Sequence, residues 1–480
     1  MKRTVFAIVI FLVALLSIPV TFIIIGFATP SQYALTYYGE LGKMYENLRL
    51  TSGRKIVIIG TSSVAFGVDS ALMSEELSAA GADYEVVNFG LYGALGTKVM
   101  LDLSEQYIGE GDIVVFAPEL NAQAMSTYFS ATDMWYAADC DFSLLGGIAE
   151  ENAAEMVGNF AGYVSSKFGC LTAGSPAQPS GVYASASFDE NCDMKNAERP
   201  HNIMPGGVDS NSLIYFDETV ISDDFVDYVN DYCASVSEKG ATMLYSFAPM
   251  NEAAFSGYYE PEIEAYYEFV SENFDFDIIS DPYDYVMERE WFYDSNFHLN
   301  ASGMTVRTVR LLGDLKNWLG IRTPTDAELP EMPDLPEHEY DDTEGNNDFA
   351  EFFVYEDGAD GMRITGIAGG VTLPSEITVP YSYGGRTITS FDADVFAGNG
   401  EIEEIVIQDN IVSLQNGSFD GCTSLKRIIL LQADPSAIGV GQGLLTGADN
   451  CRIYVPADSY SAYAGNYFWS NYAGRLEIYE

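Results

Sequence analysis

Histidine is the scarcest functional side chain in this sequence: His201, His298 and His338 are the only three in 480 residues. Any imidazole base must be one of them. Cations are also few, with 22 Lys and Arg against 71 Asp and Glu, for a formal net charge of -49. Such a field repels polyanions, so nucleic acid and anionic membrane surfaces are disfavoured as partners. A cationic partner or a calcium-rich exterior is compatible with it, although solubility alone accounts for the acidity. Cysteine is limited to six and shows no metal-ligand spacing, and no metal or cofactor is expected. Cys140, Cys170, Cys192 and Cys233 fall in one region and allow two disulfides, with three possible pairings, which fits an oxidising exterior. Apolar residues are not lacking: a 48% share excludes global disorder, and the length leaves room for two or three domains.

The N-terminus carries Lys2 and Arg3 and then an uncharged run from Val5 to Ala28. At ~1.5 Å per residue a helix of that length crosses a ~30 Å hydrocarbon core. Gly26-Phe27-Ala28 is a mediocre cleavage site, so the expectation is an uncleaved transmembrane anchor with the rest of the chain outside. Secretion after signal cleavage is the runner-up.

Four β-branched residues, Ile56 to Ile59, form a wholly apolar run of the kind found in buried parallel strands. Gly60 ends it and Thr61, Ser62 and Ser63 follow, placing a hydroxyl at the carboxyl edge of a sheet, where open α/β folds bind ligands. The same Gly-Thr-Ser also serves as an ordinary helix cap. Helices and strands then alternate: helix 70–80, strand 84–88 running into NFGLYG, helix 97–107, and strand 112–117 ending in PELN. Residues 126–216, rich in Ala, Ser and Gly, are too long for a βα connection and read as an insertion, partly helical near 144–168, able to cover or shape a site. Alternation resumes with helix 223–238, strand 242–247, helix 260–272 and strand 277–279. The loop WFYDSNFHLN follows, then a helix over 301–319 with Asn300 as N-cap and Gly320 after its end.

Residues 323–348 are acidic and Pro-rich and form an extended linker. Beyond it, two segments align at a spacing of 23 residues: Ile388 with Ile411, Phe396 with Phe419, Gly398 with Gly421, Ile405 with Ile428. A fixed period with apolar residues at equivalent points marks a leucine-rich-type solenoid. Cys422 stands where the previous repeat has Asn399 and reads as a small buried residue rather than a disulfide partner. This part, with its F-x-G-[NC]-x-x-[IL]-x-x-I core and IYVP cap segment, resembles the surface leucine-rich repeats of the BspA type. The resemblance implies extracellular use and says nothing of a ligand.

His338 lies in the linker and His201 in the insertion, whereas His298 sits between the last strand and the last helix, at the same sheet edge as Ser62. Asp294 precedes it by four residues. A serine hydroxyl needs a base to take its proton and a carboxylate to hold that base in the right tautomer, and Ser62, Asp294 and His298 occur in that arrangement. Over residues 55–320 the chain resembles the SGNH (GDSL-like) hydrolase superfamily. GTSS stands for the GDS block, NFGLYG for the N-x-G-x-x-G block and DSNFHLN for the final Asp/His block. The resemblance implies Ser62 as nucleophile, His298 as base and Asp294 as its orienting acid. It also implies an oxyanion hole from the N–H groups of Ser62 and Gly93, with Asn121 of PELN as side-chain donor. There are departures: Thr61 replaces the usual Asp, Asp294 is one residue further from the histidine than usual, and PELN is degenerate. Glu119 reads equally as a helix-capping acid, Ser63 is the alternative nucleophile, and Glu119 and Glu252 show no specific pairing that would suggest a glycosidase.

The expected architecture is therefore α/β: a flavodoxin-like SGNH three-layer sandwich with a parallel sheet, an N-terminal transmembrane helix and a C-terminal leucine-rich-repeat solenoid. Its parts are an anchor (1–30), the SGNH-like unit (31–322, insertion about 126–216), the linker (323–348) and the repeat unit (349–480). The expected activity is that of an extracytoplasmic serine esterase or O-acyltransferase. The anchored arrangement looks like that of DltD-like and alginate-acetylation-type proteins, which implies acylated glycans or envelope polymers as substrate. A surface adhesin built on an inactive SGNH-like scaffold is the alternative, and a protein or carbohydrate ligand of the repeats goes with either.

Overall fold

The computed structural model describes residues 19–204, 207–209, 212–217, 219–255, 259–335, 346–358, 361–441, 443–448, 450–466 and 468–479. It is a mixed α/β protein with parallel sheets. The first sheet contains β1 (Lys55–Gly60), β2 (Glu85–Gly90), β3 (Ile113–Phe116), β4 (Thr242–Tyr245) and β5 (Asp277–Ile278), in the order β2-β1-β3-β4-β5. All neighbours are parallel, with Ile58 opposite both Asn88 and Val115. β1 is buried along its whole length, as an apolar run flanked by two strands and covered on both faces must be.

Successive residues of β1 point into different cores. Ile56 and Ile58 pack with Met73 and Leu77 of α3 (Ser70–Ala79) and with Leu311, Leu312 and Leu315 of α9 (Ala301–Trp318). Val57 and Ile59 join a larger core on the other face. That core takes in α1 (Tyr38–Leu50), α4 (Thr97–Glu105) and α7 (Asp223–Glu238) through Leu41, Met44, Leu103, Val229 and Val236. Residues 32–52 read from sequence as a short, partly helical juncture. In the structure α1 is a full helix whose buried side chains Leu41, Met44, Tyr45 and Leu48 line the sheet. Asn300 caps α9 by accepting from the Gly303 N–H, and Gly320 follows the helix at φ +72.

The insertion is helical over much of the expected stretch, 144–168, and also ahead of it. It contains α5 (Ala131–Ala138) and the long α6 (Ala153–Ala173), and α8 (Glu260–Asn273) packs beyond β4. A helical segment over 19–28 docks on α5 and α6: the Gly26 carbonyl accepts from Tyr163 Oη and Lys167 Nζ, and Phe27 stacks on Phe160. Lys167 and Asp139 form a fully buried ion pair beside it. The expected span begins in residues 5–18, which lie outside the described residues; among those described, no helix is long and apolar enough to cross a membrane.

Cys140, Cys170, Cys192 and Cys233 differ from the expectation of disulfides, being free thiols, whereas Cys422 is buried and free as expected. Cys233 is held inside the core face of α7 and Cys192 in a buried turn near Glu40, on separate elements. Burial raises the Cys140 thiol to about 11, so it stays protonated at neutral pH.

The C-terminal part has its own core between two sheets. One runs Glu376–Thr378, Glu404–Ile407, Arg427–Leu430, Arg452–Pro456, Leu476–Tyr479, all parallel, with Ile405 opposite Ile428 and Ile428 opposite Ile453. The other opens with an antiparallel hairpin, Phe353–Gly358 and Gly361–Ile367, then continues in parallel through Arg386–Phe391, Ser413–Leu414 and Gly439–Val440. Residues one period apart thus stand beside each other, and their apolar side chains, with Phe396 and Phe419, fill the space between the sheets. Tyr463 and Trp469 belong to the same core, Trp469 donating to the Pro435 carbonyl.

Candidate active site

The strand order reverses between β1 and β3, because β2 lies outside β1 and β4 outside β3. Loops leaving the carboxyl ends of these two strands diverge and leave a crevice, the usual ligand site of such sheets. Ser62 emerges from β1 there and Glu119 from β3. The short helix α2 (Ser62–Gly67) begins at Ser62 itself. Two glycines let it sit this close to the sheet. A Cβ on Gly60 would lie 2.5 Å from Val64 and 2.6 Å from the Ala117 carbonyl, and one on Gly90 would lie 2.4 Å from Val64. At the other end of α2, buried Arg199 donates to the Phe66 carbonyl at 2.9 Å and buried Arg307 to the Gly67 carbonyl at 3.1 Å. Two guanidinium groups thus satisfy the exposed carbonyls of this helix and complement its C-terminal partial charge. Burial pushes Arg307 down to about 10, still charged at neutral pH.

His298 reaches the same edge on a tight antiparallel turn in which Ser295 pairs with His298. Its ring stacks on Phe66 of α2, with centroids 4.1 Å apart and planes 11° from parallel. Nδ1 lies 2.7 Å from Asp294 Oδ1, so the four-residue spacing closes a good hydrogen bond. Ser295, one residue nearer, instead accepts from the Phe297 N–H within the turn. The other Asp294 oxygen accepts from Tyr183 Oη at 2.7 Å. Tyr183 comes from the insertion; burial and the facing Asp294 carboxylate hold its phenol well above the ordinary range, so it is a fixed donor.

Ser62 is 5% exposed, and its hydroxyl donates to Glu119 Oε1 at 2.9 Å rather than to His298. The same oxygen accepts from the Ser63 N–H at 2.7 Å, and Glu119 Oε2 accepts from Asn121 Nδ2 at 3.0 Å. Asn121 is thereby engaged: its amide holds Glu119 and its carbonyl oxygen accepts from the N–H groups of Gln123 and Ala124. Gly93 opens a 3-10 turn, Gly93–Leu95, so its N–H has no partner within that turn; its carbonyl accepts from Gln123 Nε2. Ser63 is wholly buried and its hydroxyl makes no hydrogen bond among the described residues.

A chamber of about 10 Å³ adjoins Ser62, walled by Tyr37, Ala65, Phe66, Leu91, Tyr92 and Tyr183. Tyr183, with Tyr293 and Asp294, also borders a cleft of about 990 Å³ whose far side includes Ser413 and Asn416 of the C-terminal part. The roles of Tyr183 and Glu119 were not legible in the sequence. Tyr183 is one of 32 tyrosines and lies in a segment without periodicity, while Glu119 looked like a capping acid among 71 acidic residues. Among the described residues, no three His, Cys, Asp or Glu side chains converge as a metal ion would require. No protein-family model matches the sequence, and no curated protein does either.

Proposed function

We propose that the chain is a serine-dependent acyl ester hydrolase or O-acyltransferase of the SGNH type, with Ser62, His298 and Asp294 as its catalytic residues. The observation that carries this reading is the Asp294–His298 hydrogen bond, set at the same crevice as Ser62 and stacked on the helix that bears it. Ser62 Oγ attacks an acyl carbon while its proton passes to Nε2 of His298. Asp294 holds the Nδ1–H and stabilises the imidazolium. The N–H groups of Ser62 and Gly93 face the developing oxyanion. His298 returns the proton to the departing alcohol, and an incoming hydroxyl then resolves the acyl-Ser62 ester. Water as that acceptor makes an esterase; a sugar or polymer hydroxyl makes a transferase.

The finer architecture belongs to the same reading: an SGNH-like three-layer unit, a leucine-rich-type solenoid for surface interaction, and a membrane anchor holding both outside the cell. Acylated glycans or envelope polymers are the substrate class by analogy of arrangement alone. The alternative, a surface adhesin with an inactive SGNH-like scaffold, draws support from the Ser62 hydroxyl being turned to Glu119.

Fluorophosphonate labelling of the purified protein tests the proposal. Attack by Ser62 forms an Oγ–P bond, expels fluoride and leaves the proton on His298. Wild type and Ser63→Ala are expected to label, and Ser62→Ala and His298→Ala are not. Equal labelling of Ser62→Ala and wild type would sink the assignment.

A further inference from the structure

A serine hydroxyl has one proton and can donate one hydrogen bond, and here it is donated to Glu119. Glu119 is poorly suited to take that proton for chemistry. Its Oε1 also accepts from the Ser63 N–H and its Oε2 from Asn121, so the carboxylate is already engaged by two further donors. His298, with Nδ1 on Asp294, is the better base but receives nothing from Ser62 in this state. The geometry points to Glu119 as a positioning residue that latches Ser62 in a resting orientation, competing with His298 for the hydroxyl, so that acyl transfer begins only when Ser62 leaves Glu119. This inference rests on the acyl-transfer reading above. It extends that reading by assigning a role to a carboxylate that the Ser–His–Asp arrangement does not use.

The surroundings fit a latch. Glu119 is 6% exposed and sits in the loop after β3, whereas Ser62 and Ser63 start α2, so the bond ties together the two loops that bound the crevice. The charged and titratable groups acting on it are Arg307 from α9 and Tyr183 from the insertion, with the His298–Asp294 pair across the crevice. A hydrogen bond to an ionised acceptor is about twice as strong as one to a neutral acceptor. Neutralising Glu119 therefore weakens the latch while leaving an acceptor for the Ser63 N–H.

The test uses the full chain and a fluorophosphonate probe, comparing pseudo-first-order labelling rates of wild type, Glu119→Gln and Glu119→Ala. Glu119→Gln is expected to label about fivefold faster than wild type at neutral pH, and Glu119→Ala at least as fast. Labelling faster than wild type in both variants is a change that a merely structural role for Glu119 would not produce. Melting curves identify a variant that has failed to fold, and two variants of different size keep the comparison usable. Slower labelling of a folded Glu119→Gln would make Glu119 an aid to Ser62, and an unchanged rate would make it a bystander; either result overturns the latch while leaving the nucleophile assignment intact. If no protein labels, wild type included, the acyl-transfer reading fails and the latch fails with it.

Discussion

Asp294 has both oxygens engaged, one by His298 and the other by Tyr183, and the two contacts have different consequences. Asp294→Asn presents an amide where the imidazole needs an acceptor and favours the wrong tautomer, so the labelling rate should fall by roughly 10²–10⁴. Tyr183→Phe leaves the Asp294–His298 bond in place and removes one donor to the carboxylate together with a longer, 3.4 Å contact to His298 Nδ1. Its effect should stay within about 10²-fold, since one hydrogen bond to a charged group is worth about 1.5–3 kcal/mol at most. A Tyr183→Phe effect as large as that of Asp294→Asn would mean that the phenol itself reaches the reacting atoms. The pairing of Asp294 with His298 could be anticipated from their places on one loop. The Tyr183 contact could not, because it joins residues 111 apart through an irregular segment.

At the scale of elements, α2 depends on Gly60 and Gly90. Gly60→Ala would drive a methyl into Val64 and the Ala117 carbonyl, lift Ser62 from the crevice and cost about 1–3 kcal/mol of stability. A labelling rate unchanged in Gly60→Ala would show that the start of α2 is not so tightly placed. The insertion is fastened to the sheet by Asp193, which accepts from the Ser70 N–H and hydroxyl at the start of α3 and from Asn88 of β2. Burial outweighs these bonds and raises Asp193 to about 7. Its pKa is thus higher in the folded chain than the usual value near 4 in the unfolded one. Below about pH 4 both forms are protonated and its contribution is whole. Stability should decline as pH rises towards 7, as the unfolded chain ionises first, and level off above that. Asp193→Asn should remove this part of the slope, so the difference in Tm between variant and wild type should change over pH 4–7 and be flat beyond. Parallel Tm curves over that range would refute the assignment.

For the whole molecule, the core packed on the two faces of the first sheet and the core of the C-terminal part share no residues, and the chain between them lacks apolar periodicity. Calorimetry should therefore show two transitions. Ile405→Ala, deep in the C-terminal core, should destabilise by about 2–5 kcal/mol and lower only one of them. The labelling rate should be untouched. A single cooperative transition, or a change in labelling, would mean that the two cores are energetically joined. The acidic excess is expressed at this scale too: it bears on solubility and on which partners approach, not on how either core packs.

The α/β class, the alternation around a buried first strand and the nearness of Asp294 to His298 were determined by the sequence alone. Each is local: an apolar run, a helix cap or a four-residue spacing acts through its immediate neighbours. The 23-residue period is the one long-range feature that was equally legible, because repetition writes the same local pattern more than once, and equivalent residues such as Ile405 and Ile428 do pair. Tertiary structure alone decided the rest. Residues 38–50 became a buried helix because the sheet face needed covering, and the cysteines stayed apart because separate elements carry them. Ser62 faces Glu119 because the strand order reverses between β1 and β3, bringing together two loops that are 57 residues apart in the chain. No pattern within either loop contains that information; it arises only when the sheet orders its strands.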